Sequence, residues 1–358
     1  MRKAMVSLLL VCLISLPLTA FAQGASPQYW FASLGDESWL STEHFNDLFF
    51  QNSQHFPLAR DEIQPVVVNE RILPERLEGL DIYGRVPVLS TRNFEYRHIN
   101  ARIDAVVDLL IADARRVRAR SVTFDFEEYV ADGVISVLIE ANVSSVISRT
   151  LVRSVNFNSS TGALITIRDA MEFDIVPLAE RILIDRMRRQ PENYYAAQAV
   201  LLESQAFFVN RQGITILFDE FQLSAMVSGI RRLEIPRRNI GVTTIDASSI
   251  RTDEGYNLLM VPIRDIAEGL GYHVTWCNLE HKAIIYSRSP LTGGQRLAWM
   301  RPGRNDYFTP VMQRSLEAAP SVIAGSMYVP ITFFEQILTL TSYSIDTSGN
   351  VTFLAYLV

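Results

Sequence analysis

From about residue 70 onwards, the chain alternates between two kinds of hydrophobic pattern. In residues 100–120, apolar side chains recur every three or four positions and aspartates and arginines occupy the other faces, which is typical of an amphipathic helix. Residues 121–145 instead alternate apolar and polar positions on either side of Ala131-Asp132-Gly133, as two strands joined by a tight turn do. A second segment of this kind, residues 151–167, follows. These patterns predict an α+β fold of small antiparallel sheets with packed helices.

The middle of the chain continues with two helical patterns, at residues 176–189 and 192–205. Residues 207–218 then predict a hairpin, whose second strand places three apolar side chains on one face: Ile214, Ile216 and Phe218. We expect this hairpin to be half-buried. Residues 219–229 predict a surface loop that ends in a short strand at residues 232–235.

The C-terminal part contains an internal repeat. Val261-Pro262-Ile263 and Val329-Pro330-Ile331 begin two segments that align without gaps, and each segment predicts a helix followed by a hairpin. Proline suits the start of a helix, where its missing amide donor is not needed. The repeat therefore predicts a structural unit built from a tandem pair.

These repeats resemble the copper amine oxidase N-terminal-like domain. The segment "VPIRDIAEGLG" with Trp276, and the segment "APSVIAGSMYVPITFF", carry the resemblance, which extends over about residues 246–353. It implies a stalk-like module of the kind common in secreted and surface proteins of bacteria.

The middle part resembles the tandem extracellular domains of unknown function in lysozyme-sensing anti-sigma factors and beside peptidoglycan deacetylase domains. The matching segments are "NFNSSTGALITIRDAM" and "FFVNRQGITILFDEFQLSAMVSGIRRLEIP". The resemblance implies that the second segment forms part of a protein-binding surface, which includes the loop at residues 219–229.

That loop is the candidate binding site. Loops carried on rigid strands are common places for recognition, and polar side chains in a core would lack hydrogen-bond partners. We therefore expect a solvated binding rim. Five side chains are predicted to form it: Asp219, Glu220, Phe221, Gln222 and Met226.

Length and composition fit an exported globular protein. The 358 residues exceed one ordinary core, and the content of 48% hydrophobic and 20% charged residues excludes a disordered chain. The formal net charge of −6 gives no reason to expect nucleic-acid binding.

The N-terminal residues predict a signal peptide that is cleaved after Ala22. They contain Arg2 and Lys3, then an apolar run at residues 5–18, and then Ala20-Phe21-Ala22. After that cleavage Cys277 is the remaining cysteine, so no intramolecular disulfide is expected.

The sequence contains only weak signals for catalytic or metal-binding residues. "VTFDFEE" at residues 122–128 has Phe126 where a metal-dependent deacetylase motif needs its second acid. His273, Cys277 and His281 lie close in sequence, but a strand followed by a turn does not bring them together by itself. We predict no cofactor and no metal.

The sequence therefore predicts an exported, non-catalytic binding or sensing protein of the bacterial cell envelope, secreted or periplasmic, that recognises cell-wall glycan or an envelope protein. Two alternatives stay open, a structural scaffold and a cell-wall-modifying enzyme with an unrecognised site. The predicted organisation is a signal peptide at 1–22, an aromatic-rich lead-in at 23–67, an α+β domain pair at 68–236, a linker at 237–249 and the stalk-like module at 250–358.

Overall fold

The computed structural model describes residues 68–73, 75–77, 79–89, 97–191, 201–224, 229–253 and 257–357. The predicted signal peptide and lead-in segment lie outside these residues. So does most of the helix predicted at residues 192–205, and its described end, residues 201–205, forms a turn and not a helix.

The first part of the described chain folds into a six-stranded sheet with one long helix. Strands β3 and β4 are parallel and the helix connects them, because a parallel pair needs a crossover connection. The other pairs are antiparallel, the sheet order is β1-β3-β4-β5-β6, and β2 pairs with β3. The elements are β1 (Val68–Ile72), β2 (Glu75–Leu77), β3 (Leu80–Leu89), α1 (Arg97–Arg116), β4 (Ser121–Ala131), β5 (Val134–Ser144) and β6 (Arg149–Asn158).

Helix α1 covers one face of this sheet. Its apolar side chains at Ile103, Val107 and Leu110 are buried against the sheet, as the helical pattern predicts. Asp132 and Gly133 both have positive φ, 50° and 75°, which is the backbone geometry of the tight turn expected between β4 and β5.

A smaller three-stranded sheet lies against the opposite face of the large sheet. Its order is β7-β8-β9, formed by β7 (Ala206–Asn210), β8 (Gly213–Phe218) and β9 (Arg231–Pro236), and helix α2 (Val176–Arg189) packs on its far side. Phe208 and Leu217 point towards the large sheet, where the Phe208 ring stacks on Tyr129 with centroids 3.9 Å apart.

The β7–β8 hairpin is therefore buried on both faces. The expectation of a half-buried hairpin is wrong, because Ile214, Ile216 and Phe218 face α2 while Leu217 faces the large sheet. The alternation of apolar and polar residues along one strand does not show whether a second layer of structure covers its other face.

The C-terminal part contains three further small antiparallel sheets, with orders β10-β21-β20, β11-β12-β19-β18 and β13-β14-β15-β16-β17. The elements are β10 (Ile240–Ile245), β11 (Arg251–Asp253), β12 (Leu258–Pro262), α3 (Ile263–Gly269), β13 (His273–Cys277), β14 (Lys282–Tyr286), β15 (Arg296–Met300), β16 (Tyr307–Phe308), β17 (Gln313–Arg314), β18 (Ser321–Ile323), β19 (Ser326–Pro330), α4 (Phe333–Gln336), β20 (Thr341–Ile345) and β21 (Val351–Tyr356). The whole is an α+β, multi-domain protein dominated by small antiparallel sheets.

The two sequence repeats meet at the centre of this part. Strands β12 and β19 are antiparallel, and Val261 lies directly opposite Val329, the residue that is equivalent to it in the other repeat. Each strand leads through proline into a short helix and then a hairpin, as predicted. Because equivalent positions of the two repeats pair with each other, a local twofold axis relates these two strands.

The predicted linker is structured. It contains a turn of 3-10 helix at Arg237–Asn239 and then β10, which pairs with β21 along its whole length. Helix α2 lies against β20 and β21, and Leu354 of β21 is buried in the same cluster as Ile182. The Arg181–Glu335 ion pair, with N and O 2.9 Å apart, joins the two parts as well. The position of the domain boundary remains a prediction.

Candidate functional site

The predicted binding loop, residues 219–229, follows β8 and lies beside the outer edge of β6. Strand β6 ends the order of the large sheet, and within the described residues its outward edge meets only a single bridge, between Phe157 and Leu164, so its other outward amide groups have no strand beside them. Such groups must find other partners when they are buried. Asp219 and Glu220 supply those partners.

Asp219 fastens the start of the loop to β6. Its Oδ1 accepts hydrogen bonds from the backbone N of Val152 at 2.7 Å and from Arg153 Nη1 at 2.8 Å. Arg153 Nη1 also donates to Asp219 Oδ2 at 2.8 Å, and Arg153 Nη2 lies 3.7 Å from Asp113 of α1. Charge-assisted bonds of this kind are stronger than neutral ones, so the loop is tied to both the sheet and the helix.

Glu220 fastens both ends of the loop. Its backbone N donates to the carbonyl of Thr150 at 3.0 Å, and its Oε2 accepts from the backbone N of Thr150 at 2.6 Å. Its Oε1 accepts from the backbone N of Gly229 at 3.0 Å. One side chain thus links the edge strand to the far end of the loop.

The expected solvated rim is wrong for Asp219 and Glu220, since both are buried. Adjacent residues of a strand point to opposite faces of the sheet. However, β8 ends at Phe218 and Phe221 has a φ of +66°, so the turning backbone directs both carboxylates at β6. Ser224, another polar residue of the loop, is buried as well.

The remaining predicted residues differ from one another. Gln222 Oε1 accepts from the backbone N of Asp219 at 2.9 Å, and its Nε2 donates to Gln205 at 3.2 Å, so this amide also holds the loop together. Phe221 is partly exposed and has a left-handed backbone that is uncommon for an aromatic residue. Met226 lies outside the described residues. That the loop binds a partner remains a prediction.

A second surface, not predicted from the sequence, lies on the outer face of the β13–β17 sheet. Cross-strand partners Ile284, Trp299 and Phe308 form a row of partly exposed side chains on this face. The Trp299 and Phe308 rings stack with centroids 3.7 Å apart and planes inclined by 3°. Their alternation with buried Met300 and Tyr307 is the sequence signal that could have revealed them.

Cations surround this aromatic pair. Lys282 Nζ lies 4.8 Å and Arg301 Cζ 5.2 Å from the centroid of the Trp299 ring, within the range of cation–π attraction. Glu280 accepts a hydrogen bond from Lys282 at 2.7 Å, and this bond, together with the charges of Lys282, Arg301 and Arg296, lowers the pKa of its carboxyl. One carboxylate therefore faces three cations, and the surface has an excess of positive charge.

Metal-binding residues do not converge in the part of the chain that the structure describes. No three His, Cys, Asp or Glu side chains there lie together in a way that could hold an ion. His273 and Cys277 are at opposite ends of β13, and His281 lies in the turn after it. The described helices also include none long and apolar enough to cross a membrane.

Comparison with known proteins supports one of the two resemblances. Residues 251–352 match the family described as copper amine oxidase N-terminal domain, close to the predicted extent. A protein of Brevibacillus choshinensis named "Protease inhibitor" is 31% identical over 116 residues, which is 32% of this chain and 32% of that protein. The chain thus matches about a third of the length of this curated relative.

Two solved structures of DUF3298 family proteins, from Bacteroides fragilis and Pseudomonas aeruginosa PAO1, each cover 48% of this chain and 89% of their own. Their sequence identities are 14% and 12%, and their TM-scores of 0.32 and 0.33 are too low to establish a common fold. The resemblance of residues 68–236 to domains of anti-sigma factors and deacetylases therefore stays a prediction. The C-terminal module, residues 251–352, is similar to the copper amine oxidase N-terminal domain.

Proposed function

We propose that this protein is an exported, non-catalytic binding protein of the bacterial cell envelope, and that its loop at residues 219–229 recognises a protein partner. One observation carries the proposal. The loop is anchored by the buried carboxylates of Asp219 and Glu220, while Phe221 remains partly exposed at its turn.

A loop fixed in this way suits protein recognition. Binding costs less when a loop does not have to be ordered, so a hydrogen-bonded scaffold favours affinity. Aromatic side chains dominate the binding energy of many protein interfaces, and Phe221 is the described aromatic residue of the loop.

The same geometry disfavours glycan as the ligand of this loop. Glycans present many hydroxyl groups, and their recognition needs polar side chains that are free to pair with them. Asp219, Glu220 and Gln222 have their hydrogen-bonding atoms engaged within the protein. These engaged carboxylates are equally poor candidates for acid–base catalysis, which supports a non-catalytic role.

A second candidate function is protease inhibition, in which the protein partner is a protease. The similarity of one third of the chain to a relative named "Protease inhibitor" favours this class. Protease inhibitors bind their targets through pre-organised surfaces that move little on binding. The test is inhibition of purified secreted proteases by this protein.

The proposal is tested by capture of a partner from envelope extract with the purified protein. We expect Phe221→Ala combined with Met226→Ala to weaken capture of the partner by about tenfold, because an interface anchor is lost. Tyr83→Ala is the matched control, since it removes a half-exposed aromatic ring from β3. Circular dichroism checks that each variant is folded.

Equal capture by the loop variant and the wild type would place the site elsewhere. Capture by purified peptidoglycan, with no protein partner retained, would favour the glycan alternative. Turnover of peptidoglycan fragments would show that the protein is an enzyme.

A further inference from the structure

Two loops lie at the same end of the β13–β17 sheet. The first, residues 287–295, connects β14 to β15, and the second, residues 309–312, connects β16 to β17. Because neighbouring strands in this sheet are antiparallel, alternate connections emerge at one end. The connections β13–β14 and β15–β16 emerge at the opposite end.

Both loops present aliphatic side chains to solvent. Leu291 is 96% exposed and Val311 is 85% exposed, and Met312 beside Val311 is exposed too. A single exposed apolar residue is ordinary on a protein surface. Here, however, two neighbouring loops both expose apolar residues at the same end of the sheet.

Internal hydrogen bonds hold these tips in place. In the first loop, Ser287 N donates to the carbonyl of Gln295 at 2.8 Å, and Gly293 takes the left-handed conformation with a φ of +80°. In the second, Thr309 N donates to the carbonyl of Met312 at 2.8 Å, and Met312 N donates to Thr309 Oγ1 at 3.1 Å. The exposed side chains are thus presented by defined turns.

The charge around the tips is positive although the chain as a whole carries −6. Three of the five arginines in residues 287–316 belong to this end of the sheet, whereas Arg301, Arg304 and Asp306 belong to the β15–β16 connection at the opposite end. Arg288 and Arg296 flank the first loop and Arg314 follows the second. Two nearby carboxylates accept hydrogen bonds from amides, Asp306 from Gln313 at 2.8 Å and Glu317 from Gln336 at 3.2 Å, and Glu280 interacts with the charge of Arg296.

We propose that this end of the sheet docks on the surface of an anionic lipid bilayer. Aliphatic tips would enter the headgroup boundary, and the arginines at their bases would lie against lipid phosphates, which is how peripheral membrane surfaces combine the two effects. An anionic polymer would need the arginines but would give no reason for Leu291 and Val311 to be exposed. This lipid-docking end is independent of the loop at residues 219–229.

The test is sedimentation of the protein, purified after export, with vesicles of phosphatidylglycerol mixed with phosphatidylcholine. We expect binding to these vesicles and much weaker binding to pure phosphatidylcholine. Leu291→Asn with Val311→Asn should weaken binding by about tenfold, from the lost apolar burial. Arg288→Gln with Arg296→Gln should weaken it by about fivefold per arginine.

The opposite end of the sheet supplies matched controls. Leu279→Asn changes a leucine that is 95% exposed, and Arg304→Gln changes an exposed arginine, and both variants should bind as the wild type does. No binding to anionic vesicles, or equal losses in the control variants, would overturn the proposal. One further result would overturn it. In that case the protein binds a soluble polyanion, the arginine variant loses binding to both the polyanion and the vesicles, and the Leu291→Asn, Val311→Asn variant binds both as the wild type does.

Discussion

At the scale of single residues, two kinds of ion pair have very different surroundings. Asp219 is buried and accepts hydrogen bonds from Val152 and Arg153. Asp125 meets Arg85 at 2.7 Å on the surface, where both side chains are at least half exposed. Surface pairs contribute little to stability, whereas loss of one partner of a buried pair leaves the other unsatisfied.

We therefore expect Asp219→Asn to destabilise the protein by about 2 kcal/mol, because an amide replaces a charged acceptor beside Arg153. Asp125→Asn is the matched control and should cost less than about 1 kcal/mol. The midpoint of urea unfolding, followed by fluorescence, measures both. Equal shifts in the two variants would show that the Asp219 hydrogen bonds do not anchor the loop.

The residue scale is also where the sequence was least informative. Adjacent acidic residues at a strand end have the pattern of a solvated rim, and nothing nearby in the sequence indicates that Thr150 and Val152 need acceptors. Those partners lie about 70 positions away along the chain. Only the placement of β6 at a sheet edge gives the two carboxylates their role.

At the scale of elements, the pairing of β3 differs between its two halves. Its first half pairs antiparallel with β2 and also parallel with β4, whereas its second half continues the antiparallel pairing with β1 and has no pairing with β4. Gly84 is the last residue paired with β4, has a φ of +102°, and lies so close to Phe124 that an added Cβ would be 2.0 Å from the Phe124 carbonyl oxygen. A side chain at this position would force the strands apart.

Gly84→Ala is accordingly expected to destabilise the protein by roughly 3 kcal/mol, from the left-handed backbone together with the close contact. Gly79→Ala is a matched control, because Gly79 has a φ of +87° with nothing within 4 Å of an added Cβ. It should cost about 1 kcal/mol. Thermal unfolding separates the two, and similar melting temperatures for both variants would contradict the crowding at Gly84.

Elements with strong periodicity were the most predictable. The pattern located α1, α2, the β4–β5 hairpin and the two repeats, because each depends on local spacing of apolar residues. It did not predict the burial of both faces of β8, nor the pairing of β10 with β21, because those depend on layers distant in sequence. The alternation of Trp299 and Phe308 with buried neighbours is a local signal, but their position side by side in one row depends on the strand register.

At the scale of the whole molecule, the two halves share a packed interface. Leu354 of β21 is buried among the side chains of α2 and β9, together with partly buried Leu340 and Tyr356. Arg181 of α2 adds an ion pair to Glu335 and a hydrogen bond to its carbonyl at 3.0 Å. Interfaces of this kind couple the stability of neighbouring domains, so the segment at residues 237–249 is not expected to act as a free hinge.

This coupling predicts that Leu354→Ala destabilises both halves. Removing a buried leucine leaves a cavity and should cost about 2–4 kcal/mol, and the cavity borders α2 as well as β21. Hydrogen exchange should become faster in β7–β9 and in β10 and β21 together, whereas Leu279→Ala, at an exposed position, should change neither region. If exchange rises in β10 and β21 alone, the halves are energetically independent, and the linker predicted from the sequence describes the molecule better than the shared interface does.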